Sequence, residues 1–148
     1  MQLKLLFALA LLSPSPALAC SVAVSTPGVL GLSGDGTQLG SDGGVGVAAV
    51  LSISDLGGLF GTDITISPPT LQTFPAGFAT GGLVYESRFS ATWLVVNTLT
   101  RPYSTSAQTF HVPSLGGLAL AVTLHNRVTA SGGFAAGSYG TRTVVTCS

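Results

Sequence analysis

The chain has 148 residues, with five Lys and Arg against five Asp and Glu. Charged residues make up only 7% of it, which excludes the dense basic surface that nucleic acid requires. Hydrophobic residues reach 46%, which excludes a disordered chain.

Residues 1–19, MQLKLLFALALLSPSPALA, read as a secretory signal peptide. Lys4 supplies the positive start, and Leu5 to Leu12 is an apolar run too short for the roughly 20 residues of a bilayer span. Ser13 to Pro16 break a helix, and Ala17-Leu18-Ala19 is a small-x-small cleavage site. Cleavage there leaves Cys20 first, and residues 20–148 form one domain by length. A lipoprotein leader also places a cysteine first, but carries a large aliphatic residue three positions earlier, where this chain has Ala17. The other cysteine is Cys147, one residue from the end. Two cysteines in an exported chain are expected to pair, and acylation of Cys20 would leave Cys147 a stray thiol. The expectation is a Cys20–Cys147 disulfide rather than a lipid anchor.

Beyond the leader, short alternating segments recur between Gly and Pro punctuation, with no sustained helical period. CSVAVS sets Val22 and Val24 on one face, and VLGLS follows a turn at Pro27-Gly28. SGDGTQLGSDGG reads as two Asp-Gly turns, at Asp35 and Asp42, around a short edge segment. Val45 to Ser54 and Thr62 to Ser67 read as strands, with Ile64 and Ile66 facing one way. Pro68 to Gly82 reads as a long irregular connection across an end or an edge, because its prolines cannot donate to a ladder. LVYESRFSATWLVVN gives one long or two short strands with Trp93 in the core, and AQTFHV gives another. LALAVTLHNRV alternates most cleanly. Leu118, Leu120, Val122, Leu124 and Val128 take one face, and Ala119, Ala121, Thr123, His125 and Arg127 the other. In YGTRTVVTC, residues Tyr139, Thr141, Thr143, Val145 and Cys147 share a face. About seven to nine short strands separated by turns predict an all-β chain, an immunoglobulin-like antiparallel β-sandwich with Greek-key links.

FAAGSYGTRTVVTC, with LAVTLHNRV before it, resembles the C-terminal strands of small exported bacterial proteins of the pilin type, the spore-coat-U-like and fimbrial subunits. The match falls on Ala136, Gly137, Ser138 and Tyr139, then Thr141 to Thr146, about a fifth of the chain. The same residues have a physical reading of their own. Gly137 allows a tight turn, and Tyr139 anchors its ring under the corner while its hydroxyl bonds backbone. The resemblance implies a surface subunit that associates by strand addition. Pilin subunits carry a donor arm ahead of their first cysteine; cleavage at Ala19 would leave none. The expectation is a self-sufficient sandwich, or one that receives a strand without donating one.

Candidate chemistry is sparse. Lys4 leaves with the leader, so the remaining charges are Arg88, Arg101, Arg127 and Arg142 against Asp35, Asp42, Asp55, Asp63 and Glu86. Such a neutral, Thr/Ser/Gly-rich surface suits contact with copies of itself or a partner. His111 and His125 match no metal-ligand spacing and are expected on solvent-facing sides of strands. No G-x-S-x-G elbow is present, and the two Asp-Gly turns lack the converging carboxylates of a calcium loop. Phe74, Phe78 and Tyr103 stand near loops and are expected to plug an end of the sandwich rather than to bind a glycan. These readings assign no catalytic, metal or cofactor residue and no membrane span. They favour a non-enzymatic structural or adhesive surface subunit, fimbrial in type, in the periplasm, at the cell surface or outside the cell. A soluble binding module would need a concave aromatic pocket. A hydrolase would need a histidine beside a serine and a carboxylate.

Overall fold

The structure is a computed structural model and describes residues 20–148, apart from 55, 57–60, 95 and 115–118. The signal-peptide reading of residues 1–19, with Asp55 and Leu118, lies outside the described residues. The elements are β1 (Ser21–Thr26), β2 (Gly31–Leu32), β3 (Gln38–Gly40), β4 (Ala49–Ser54), β5 (Thr62–Ile66) and β6 (Thr70–Thr73). They continue with β7 (Val84–Trp93), β8 (Asn97–Ser104), β9 (Gln108–Val112), β10 (Leu120–Thr129), β11 (Gly140–Arg142) and β12 (Val145–Cys147).

β10 is the spine of the main sheet. One side of it pairs with β7 from Ala121↔Thr92 to Thr129↔Val84. The other side is shared by β4, opposite Leu120 to Leu124, and β3, opposite Arg127 to Thr129. β1 extends the sheet beyond β4, β8 beyond β7, and β2 beyond β3. The second sheet runs β12–β5–β9, and β11–β6 form a two-stranded ladder of their own next to it in sequence. The Ser67 N–H donates to the Val144 carbonyl across that junction (3.0 Å). Every strand pair is antiparallel.

The two sheets face each other across one apolar layer, which makes the fold a β-sandwich. Leu51, Ile53, Phe89, Ala91, Leu120, Val122 and Leu124 come from the main sheet, and Ile64, Ile66, Phe110 and Val112 from the second. Alternation in the sequence is what puts them there, since successive strand side chains face opposite ways. The Phe89 and Phe110 rings meet across the layer with centroids 5.1 Å apart. Each fully buried side chain of this size contributes roughly 1.5–3 kcal/mol.

Prolines explain most departures from the expected strand plan. Residues 68–82 are not irregular throughout: β6 forms at Thr70–Thr73 and pairs with β11. Pro68 and Pro69 offer no N–H to the ladder, so the facing strand also breaks, into β11 and β12. β8 was not anticipated, because it is polar and holds Pro102, which sheets tolerate only at an edge such as this one. β3 is no edge, since β2 and β10 flank it. β4 starts at Ala49, leaving Val45 exposed. Trp93 is half-buried against the core.

Candidate functional site

Cys20 and Cys147 are disulfide-bonded, with Cα atoms 6.0 Å apart. The bridge ties the first strand of the main sheet to the last strand of the second. β1 runs away from it and β12 runs toward it, so two strand edges leave one covalent point. Among the described residues, β1 ladders only to β4, β12 only to β5 and β11 only to β6.

Between these edges lies a groove of about 460 Å³. Val22 and Val24 form one lip, and Thr141, Arg142, Thr143 and Val145 the other; Ala49, Leu51 and Leu124 line it between them. Val22 and Val24 stand opposite Ile53 and Leu51, the inward-facing residues of β4, yet they remain 41% and 62% exposed. The sandwich is therefore unsealed along this side. One end of the groove is polar. The backbone N–H of Asn126 donates to Ser41 Oγ (3.0 Å), and the Ser41 N–H donates to the Asn126 carbonyl (3.0 Å). Thr143 Oγ1 donates to Asn126 Oδ1 (3.2 Å), linking the last strand segment to β10. Arg142 is the one charged side chain in the lining.

Two other clusters collect the remaining candidates. On the outer face of the main sheet, Arg127 Nε donates to Glu86 Oε2 (2.8 Å), and Arg88 lies 3.5 Å from Asp42. The Tyr103 hydroxyl donates to Asp42 Oδ2 (2.7 Å), and the Arg127 guanidinium sits 3.9 Å above the Tyr103 ring centroid. Burial and the Asp42 carboxylate push the Tyr103 hydroxyl up to about 12. The bond to Glu86 raises Arg127 further. His125 stands half-buried in this patch, and burial, with Arg88 beside it, lowers its pKa. It is less open to solvent than its place on the outer face suggested. These charged groups mainly neutralise one another, which suits a held surface better than a reacting centre.

Phe74 and Phe78 sit at an end of the sandwich, as expected, with Phe134 and Tyr139. The Phe78 ring stacks on Phe134 at 5.6 Å and meets Tyr139 edge-on at 5.2 Å. The Tyr139 hydroxyl donates to the Ala135 carbonyl (2.9 Å), the backbone anchor read from the sequence. Tyr103 joins the outer-face cluster instead of this plug.

His111 Nδ1 lies 2.7 Å from Asp63 Oδ1, both side chains exposed. Ser148 pairs with Asp63 through the backbone on its other side, each N–H donating to the other's carbonyl (2.9 Å). Asp35 closes its own turn. It accepts from Ser33 Oγ (2.5 Å), the Thr37 N–H (3.1 Å) and Thr37 Oγ1 (2.9 Å). Those bonds, Ser33's foremost, hold its carboxyl down at about 2. No three His, Cys, Asp or Glu side chains gather into a metal site among the described residues. Among them, too, no helix is long and apolar enough to cross a membrane.

The sequence pointed to the two cysteines but missed the groove. Its signal lay in Val22 and Val24, which alternate like core residues yet stay exposed among the described residues. No protein-family model, curated protein or solved structure matches the chain.

Proposed function

We propose that this chain is an exported structural or adhesive subunit of the cell surface, fimbrial in type, and that it binds its partner by strand addition. The open apolar groove between two free strand edges carries this reading. An added strand takes its affinity from main-chain hydrogen bonds and its specificity from alternate side chains set in apolar pockets. β1 offers the unpaired edge, and Val22, Val24, Leu51, Leu124 and Val145 offer the apolar contacts. The groove lining is aliphatic rather than aromatic, which favours an extended apolar segment over a sugar ring. Phe78 and Phe134 also line a second concavity of about 590 Å³, and a soluble binding module that used it is the alternative reading. An immunoglobulin-like strand order and export by a cleaved leader belong to the same reading. A Cys20 sulfur bonded to Cys147 has no valence left for a lipid thioether, so the reading includes no anchor there.

The test is a methyl NMR titration of the exported protein with a synthetic peptide of the sequence of residues 21–26. The Val22, Val24, Leu51, Leu124 and Val145 methyls should shift while those of Ile64 and Val112 stay fixed. If the groove methyls do not move at millimolar peptide, strand addition at this site is wrong.

A further inference from the structure

The free edge has an internal symmetry. Ser21-Val22-Ala23-Val24-Ser25 reads the same in both directions. Two copies of one strand laid antiparallel about a two-fold axis bury the same patch on both subunits. With that axis at Ala23, Val22 opposes Val24 of the other copy, Ser21 opposes Ser25, and Ala23 opposes its own equivalent. Moving the axis to Val22 leaves a Val24 opposite Cys20; moving it to Val24 leaves a Val22 opposite Thr26. Only the Ala23 axis matches both valines with valines. Directly opposed residues share a face of the sheet, so all four valines lie on the inward, groove side. Apolar cross-strand pairs of this kind stabilise by roughly 0.2–1 kcal/mol each.

The edge also lacks most of the usual protection. Exposed edges are normally guarded by charge, proline, a bulge or a covering segment. β1 holds no charged residue and no proline, and all six of its residues are exposed. Its one register shift, between Val24 and Thr26, falls at Ser25, so the flat part of the edge is Ser21 to Val24, which keeps both valines in the pairing about Ala23. Charge offers no obstacle, because beyond the leader four arginines face five acids and near-neutral chains associate readily.

We propose that the partner at this edge is a second copy of the chain. Its β1 pairs antiparallel with β1 in register about Ala23, joining two main sheets into one and covering the mouth of the groove. This rests on the strand-addition reading and names its partner. One strand edge buries less than the roughly 1,200 Å² of a standard stable interface, so the dimer forms and dissociates with concentration.

Cysteine crosslinking of the exported protein reads the register. Opposed Cα atoms in an antiparallel pair stand about 4.5–5.5 Å apart, within disulfide reach. Ala23→Cys should give a covalent dimer under oxidising conditions, linked through position 23 by peptide mapping, with the native bridge retained. Val22→Cys and Val24→Cys should each crosslink at least tenfold less alone and as efficiently as Ala23→Cys when mixed. Equal crosslinking by all three single variants would overturn the register, and so would its absence in Ala23→Cys. If Ala23→Cys does not crosslink while the peptide still shifts the groove methyls, the dimer proposal falls and strand addition stands. If neither occurs, both fall.

Discussion

Removing the disulfide is the sharpest perturbation of the fold. Cys20 and Cys147 are 127 residues apart, so the bridge closes almost the entire described chain. In the chain-entropy account, a loop of that length stabilises by about 5 kcal/mol, acting on the unfolded state; losses of about 2–5 kcal/mol are usual for small exported domains. Domains are stable by only about 5–15 kcal/mol in all, so the loss is a large share. With an unfolding entropy of about 2.1 cal/mol/K per residue, it corresponds to a fall in Tm of roughly 8–18 °C. The bridge also joins β1 to β12, so its loss frees both lips of the groove. Urea and calorimetric unfolding of the wild type, Cys20→Ser, Cys147→Ser and the double variant give the comparison. The singles should fall alike and the double no further, because each removes the same covalent link. A loss below about 1 kcal/mol, or a double variant that adds the two single effects, would refute the reasoning.

Other outcomes follow from local contacts. Gly137 has φ 154° and lies against the Pro75 ring. Gly137→Ala should therefore destabilise by at least about 2 kcal/mol, through backbone strain and overpacking, and should disturb the Phe78 and Tyr139 ring signals in NMR spectra. Asp35 has a folded pKa of about 2, below its usual 3.8. Its contribution is therefore present above about pH 3.8 and lost as pH falls toward 2. A carboxyl NMR titration should find it near 2, and a midpoint near 4 would contradict the turn geometry. The pKa of His125 is lowered below 6.5, so the unfolded state takes up the proton first as pH falls. Stability should be full above about 6.5 and decline as pH drops below it, and His125→Gln should flatten that slope in pH-dependent urea melts. An unchanged slope would mean that other groups set it.

How much the sequence disclosed depended on which force placed each residue. Leu120, Val122, Leu124, Ile64 and Ile66 were legible because alternation alone selects the buried face, and all five are buried. The bridge was legible from cysteine number and the two ends they occupy. Tyr139 was legible because a ring beside a glycine turn needs a backbone partner. β8 was not, since its stability comes from pairing with β7 rather than from apolar alternation. The outer-face cluster was hidden too. Asp42, Glu86, Tyr103 and Arg127 are spread between positions 42 and 127, with Tyr103 61 from Asp42, and only the sheet registers bring them together. The groove was hardest, because an uncovered strand and a covered one carry the same apolar period.

The central claim is that the groove and the β1 edge exist to be covered by another chain. Sedimentation velocity of the purified, disulfide-bonded protein, from nanomolar to hundreds of micromolar, tests it most directly when paired with Val24→Lys. Val24 is 62% exposed, so that substitution places a charge at the groove lip without disturbing the core. The account predicts a dimer whose fraction rises with concentration in the wild type and that vanishes in Val24→Lys at an unchanged Tm. A wild type that stays monomeric throughout, or a dimer indifferent to Val24→Lys, would contradict it.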